Sequence, residues 1–277
     1  MDNYSLESNE IEDVSSVVHH PYLTAMLGGP IPENVAMAEV QHILDVGCRT
    51  GIWARQVVQL YSHVDVTGID GDEVLIKGAA QLARTRKIKN IAFTQMDLMQ
   101  PLRFHEHSFD LIHMRSSGFI RAAYWPHLLD DLHHLLRPGG WLNIVEYERG
   151  QTSSTAFNRI ERLGMELLQK LERRTHATSD NVGIAPRIYS LLQEAGFVDV
   201  LYTVYAVDLG YHNQPGARAF VETTLATAAT FKDTFVRFGL LDAQSYEELL
   251  TQARIDLTSP TACAYAYLIS TVGRVDE

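Results

Sequence analysis

The stretch Ile43-Leu-Asp-Val-Gly-Cys-Arg-Thr-Gly-Ile-Trp-Ala54 reads as a buried strand that ends in a glycine-bearing turn and opens a helix. On open α/β sheets, ligands bind at the carboxyl ends of strands, and glycine there lets backbone approach a nucleotide with no Cβ in the way. The next strand-like run, Val66-Thr-Gly-Ile-Asp70, ends in an acid 23 residues after Gly47, with Gly71 beside it. A carboxylate about 20 residues beyond such a turn accepts the hydroxyls of an adenosine ribose. The plainer readings are a strand–helix turn for the first stretch and, for Asp70, an N-cap of the helix starting near Asp72.

The glycines decide between adenosine cofactors. A dinucleotide fingerprint started at Gly47 needs glycine at 49 and 52, where this chain has Arg49 and Ile52. NAD is therefore the poorer ligand. Gly47 and Gly51 instead fit the first and third glycines of the loop used by S-adenosylmethionine enzymes. Arg49 stands at the middle position, where a positive φ would cost a non-glycine residue about 1 kcal/mol. Its guanidinium either points outward or pairs with the methionine carboxylate of the cofactor.

Across most of residues 40–150 the chain resembles class I S-adenosylmethionine-dependent methyltransferases. The likeness is carried by Asp45–Gly51, Val66–Asp70, Met96-Asp97-Leu98, Ser108–His113 and Leu136-Arg-Pro-Gly-Gly-Trp-Leu142. A closer similarity, in His19-His20, Gly51-Ile-Trp-Ala54, Asp110–Arg115 and Trp125-Pro126, is to fungal-type regulators of secondary metabolism and related bacterial natural-product methyltransferases. The resemblance implies that Gly47, Cys48 and Gly51 line S-adenosyl-L-methionine, with Asp45 orienting the loop. It implies that Asp70 and Gly71 meet the ribose, and Asp97 and Leu98 the adenine. Met114, Arg115 and Ser116 then face the methionine part, and Tyr22 and His20 close the pocket from the N-terminal helix.

Methyl transfer from a sulfonium is an in-line displacement, so positioning alone supplies up to ~7–11 kcal/mol. A base is needed only where the acceptor keeps its proton, and His113, His20 and Glu146 are the catalytic candidates. Each has a structural alternative, as a strand residue, a helix-packing imidazole and a solvated strand end. No His-Glu-x-x-His or Cys-x-x-Cys pair offers a zinc site, and no metal is expected. Met114-Arg-Ser-Ser-Gly118 carries no Asn-Pro-Pro-Tyr run to hold a base amine, which with the acidic balance disfavours nucleic acid.

These residues need a scaffold of alternating strands and helices. Strands are expected at His42–Gly47, Asp65–Asp70, Ile91–Asp97, Phe109–Arg115 and Trp141–Tyr147. Helices fall near Ile52–Leu60, Asp72–Arg86 and Tyr124–Leu136. Two further helices, Ala156–Arg174 and Arg187–Ala195, and two Val- and Tyr-rich strands, Val198–Leu209 and Ala262–Val272, follow. The fold expected is α/β: a doubly wound, seven-stranded, mostly parallel sheet with helical lid additions. Residues 1–40 form an N-terminal helical cap and 41–277 the methyltransferase domain. Its core is 41–150, with a helical lid insertion at about 215–258, too long for a hairpin loop.

The 277 residues contain 23 Lys+Arg against 34 Asp+Glu, a net charge of −11 that disfavours phosphate backbones and anionic membranes. Two cysteines are too few for a disulfide framework. The N-terminus is acidic and lacks an apolar core, and no run reaches the ~18 apolar residues of a membrane span. The expected protein is cytoplasmic and methylates a small molecule of secondary metabolism, either alone or as a homo-oligomer. A non-methylating cyclase that binds the same cofactor, and a regulatory module with a degraded loop, are the alternatives.

Overall fold

The computed structural model describes residues 19–115, 120–170, 184–212 and 215–276. Helix α1 covers 19–26. Then come β1 (His42–Val46), α2 (Ile52–Leu60), β2 (Asp65–Asp70), α3 (Glu73–Thr85), β3 (Ile91–Gln95), β4 (Phe109–Arg115), α4 (Trp125–Leu135) and β5 (Leu136–Thr152). The later elements are α5 (Thr155–Lys170), α6 (Ala185–Glu194), β6 (Val198–Asp208), α7 (Pro215–Thr230), α8 (Lys232–Arg237), α9 (Ala243–Leu257) and β7 (Ala264–Arg274).

Seven strands form one sheet in the order β3-β2-β1-β4-β5-β7-β6. The pairs β1–β2, β1–β4, β2–β3 and β4–β5 are parallel. β7 runs against its neighbours: Gly139 N–H donates to Val275 O at one end of β5, and Ser153 N–H to Cys263 O at the other. Strand order reverses between β1 and β4, which makes the carboxyl ends of these strands the natural crevice. The doubly wound, mostly parallel sheet read from the sequence is the fold found.

By contact the chain divides into two units. The first comprises the described residues of 27–148, 172–205 and 268–277, and the second those of 1–26, 149–171 and 206–267. In the first unit the period-2 alternation of the parallel strands is plain. Leu44, Val46, Ile112, Met114, Leu142 and Ile144 pack with α4 and α6. Ile43, Val66 and Leu111 point the other way and pack with Trp53, Ala54, Val57 and Val58 of α2. In the second unit α9 packs against α5, α7 and α8.

One boundary departs from expectation. β5 starts at Leu136 rather than Trp141, because Phe109 pairs with Leu136 and Leu111 with Trp141. The residues 137–140, read as a turn from their Pro-Gly-Gly, form a bulge in a strand that has already begun, with Gly139 at φ 76. The expected helix end at Arg174 falls outside the described residues.

Candidate active site

After β1 the backbone passes through Gly47 (φ 70), Arg49 (φ 49) and Gly51 (φ 68) before α2 begins. The turn is pinned to β2, since the N–H groups of Gly47 and Cys48 donate to Ile69 O at 2.8 and 3.0 Å. Gly51 N–H closes the turn on Cys48 O at 2.8 Å. A Cβ at Gly51 would overlap the Phe93 ring on β3.

The middle residue does adopt the left-handed conformation. Arg49→Gly is therefore expected to relieve about 1 kcal/mol of backbone strain, raising Tm by roughly 2–4 °C. Cofactor affinity measured by titration calorimetry should stay the same or tighten. A tenfold loss would instead identify Arg49 as a ligand of the methionine carboxylate.

Asp70 stands at the carboxyl end of β2 and organises this loop. Its Oδ2 accepts the N–H of Arg49 at 3.0 Å and its Oδ1 the N–H of Asp72 at 2.9 Å. The helix cap is a different residue: Asp72 accepts the N–H groups of Val74 and Leu75. A carboxylate offers about four acceptor positions. Asp70 can therefore serve the loop and still receive two hydroxyls.

Behind the loop lies a buried polar row set by strand register. Asp45 pairs with His113, and His113 with Asn143. Asn143 Nδ2 donates to His113 Nδ1 at 3.2 Å, and Ser270 Oγ donates to Asn143 Oδ1 at 2.9 Å. The imidazole proton is thereby assigned to Nε2. The His113 ring stacks on Trp53 of α2 with centroids 4.0 Å apart and 7° between planes. Trp53 Nε1–H donates to Pro30 O at 3.0 Å. Asp45 Oδ2 and His113 Nε2 are buried without a hydrogen-bond partner.

Burial pushes the His113 pKa down to about 3 from an ordinary 6.5. Burial, with a further push from Asp70, holds the Asp45 carboxyl well above the usual carboxylate range. The folded chain thus binds fewer protons at His113 than the unfolded chain between those two pH values. Its contribution to stability is whole above pH 6.5 and falls as acid is added, by at most about 1.4 kcal/mol per pH unit. His113→Phe, which keeps a ring on Trp53, is expected to flatten the fall of Tm between pH 6.5 and 4.5. An unchanged slope would place the titration elsewhere.

Residues 43–140 match the family model described as a methyltransferase domain. Over this segment the chain is similar to methyltransferase domains. It is 27% identical over 203 residues to the secondary metabolism regulator LAE1 of Cochliobolus heterostrophus, covering 71% of this chain and 62% of that one. It is 25% identical over 225 residues to the protein-methionine methyltransferase laeA of Emericella nidulans, covering 76% and 54%. The chain thus spans less than two thirds of either relative. Among solved structures it resembles phosphoethanolamine N-methyltransferase 2 of Haemonchus contortus, with a TM-score of 0.52 and 16% identity over 98% of this chain and 61% of that one, a likeness of fold.

Within the first unit the other expected site residues take varied positions. Cys48 is buried, and burial pushes its thiol pKa up, favouring the neutral thiol. Gly71 is exposed and open, with nothing nearer to a Cβ than Met96 O at 3.8 Å. Asp97 is exposed and turns the chain by accepting Met99 N–H at 2.9 Å, while Leu98 is buried in the core. Met114 is fully buried among the same core residues. Burial pulls the Arg115 pKa down to about 10. Ser116 lies outside the described residues. Glu146 is 6% exposed.

His20 and Tyr22 belong to the second unit. There His20 Nε2 lies 3.3 Å from Thr24 Oγ1, and Tyr22 OH donates to Asp208 O.

Trp53, Phe93, Asn143 and Asp110 have positioning roles that motif reading passes over. Asp110 accepts the N–H groups of Gln41 and His42 at the start of β1 and binds Arg137 Nη1 at 2.7 Å. The available signal for Asn143 is a lone amide inside the apolar run Trp141-Leu-Asn-Ile-Val145. Among the described residues no group of three His, Cys, Asp or Glu side chains is placed to hold a metal, and no helix is long and apolar enough to cross a membrane.

Proposed function

We propose that the chain binds S-adenosylmethionine over the carboxyl ends of β1 and β2 and methylates a small molecule of secondary metabolism. The observation that carries this reading is the coupling of Asp70 to Arg49 N–H, which ties a ribose-binding carboxylate to a left-handed glycine turn. Bound there, the cofactor would supply a methyl group on a sulfonium for in-line displacement by the acceptor atom, leaving S-adenosylhomocysteine. Gly47, Cys48 and Gly51 present backbone to it, Asp70 and Gly71 address the ribose, and Asp97 and Leu98 the adenine. Asp45 orients the loop, and Met114 and Arg115 flank the methionine part.

The lid role assigned to the N-terminal segment and to 215–258 also belongs to the proposal. Within the second unit the N-terminal helix is held to α7, His19 stacking on Phe220 at 4.0 Å and the Tyr22 ring packing where a Cβ at Gly216 would fall. Of the base candidates, His113 is suited to hold Trp53 and the loop rather than to take a proton near pH 7. That leaves Glu146 and His20 for an acceptor that must be deprotonated. The relative named a protein-methionine methyltransferase favours a second acceptor class, a protein thioether, which needs no base.

The test uses S-adenosylmethionine labelled with tritium in the methyl group, with purified protein and a protein-free metabolite extract. Label in extractable small molecules, with matching S-adenosylhomocysteine, is the expected result. Acid-precipitable label would move the acceptor to protein. Substrate conversion without S-adenosylhomocysteine would mark a cyclase. The absence of calorimetric heat with either nucleoside would sink the cofactor reading altogether.

A further inference from the structure

Far along the chain from the cofactor loop, β6 closes one end of the sheet. Among the described residues its single strand neighbour is β7. Its middle, Val200-Leu-Tyr-Thr-Val-Tyr-Ala206, contains no charge, proline or glycine. Leu201, Tyr202 and Val204 are 58%, 59% and 52% exposed. Because successive side chains point to opposite faces, large apolar groups are exposed on both sides of the strand. Tyr189 of α6, also exposed, meets the Tyr202 ring edge-on at 5.7 Å and widens the patch.

Native edges of this kind are blunted by lysine, proline or inward charges. Here the acids stand at the two ends, Asp199 and Asp208, and Asp199 is already met by Arg274 Nη2 at 3.0 Å.

We propose that β6 pairs in antiparallel fashion with β6 of a second copy across a two-fold axis. The charge pattern selects this occupant. A chain of net charge −11 repels its own copy, and the repulsion is least where the contact itself carries no charge. The run 200–206 is such a contact. It offers nothing to a charged partner.

The strand is also self-complementary. A two-fold axis through Thr203 sets Tyr202 opposite the partner's Val204 and Leu201 opposite the partner's Tyr205. The symmetry repeats both pairs. Aromatic–β-branched pairs of this type are among those that stabilise antiparallel ladders. Asp199 and Asp208 then flank the paired run, and no carboxylate faces another.

Sedimentation velocity and light scattering of the full chain over a dilution series test the proposal. The expected mass is twice 31.1 kDa at high concentration, falling toward 31.1 kDa on dilution. Thr203→Lys places two ammonium groups together on the axis and is expected to give the monomer mass throughout, with the thermal melt matching that of wild type at monomeric dilution. Val204→Glu, at a half-exposed position, should do the same and guards against a folding defect in the first variant. A wild-type mass of 31.1 kDa at every concentration overturns the proposal, as does a dimer that persists in both variants.

Discussion

Asp70→Ala is expected to weaken S-adenosylmethionine by about 2–3 kcal/mol, roughly 30- to 150-fold in Kd. Two effects add. The ribose hydroxyls lose their charged acceptor, and the Arg49 N–H loses the oxygen that holds it at 3.0 Å, so the loop is no longer preset for the ligand. Asp70→Asn separates them, because an amide oxygen can still accept from the loop while the charge is gone. It should fall between wild type and alanine. Titration calorimetry with S-adenosylhomocysteine reads the effect without interference from turnover. Equal affinity in all three proteins would mean that the ribose lies elsewhere.

Gly51→Ala is expected to cost about 2–5 kcal/mol of stability. The residue sits at φ 68, where an L side chain is disfavoured by roughly 1–2 kcal/mol. The added methyl group also lands on the Phe93 ring, and displacing a packed ring adds roughly 1–3 kcal/mol. Tm should drop by about 4–20 °C. Phe93→Ala in the same background tests the mechanism: it opens the space the methyl group needs, so the double variant should lose less than the sum of the two single losses. Strict additivity would assign the whole cost to the backbone.

The parallel half of the fold was legible because its signals are local. Runs such as His42–Val46 and Phe109–Arg115 are short, apolar and bounded by turns, and the observed strands follow them closely. Asp72, not Asp70, caps α3, a distinction of two residues that frees Asp70 for the loop. What stayed hidden depends on neighbours far away in sequence. The bulge at 137–140 is visible only once β4 and the chain near Val275 are paired to β5. Asn143 gains its meaning from His113 and Ser270, thirty and more than a hundred residues distant. Neither partner can be read from a periodicity. The two units interleave along the chain, and boundaries drawn at single positions in a sequence cannot express that.

The position of β7 between β5 and β6 bears on how the protein is made. During translation β6 leaves the ribosome more than fifty residues ahead of β7, several seconds at ordinary elongation rates. In that interval β6 has no strand to join, and its uncharged run is presented to other nascent chains. A stop codon between the end of β6 and residue 264 would make the condition permanent, leaving β5 a raw border as well. Shortened forms of this protein should therefore collect in inclusion bodies even when every residue of the 43–140 domain has been synthesised.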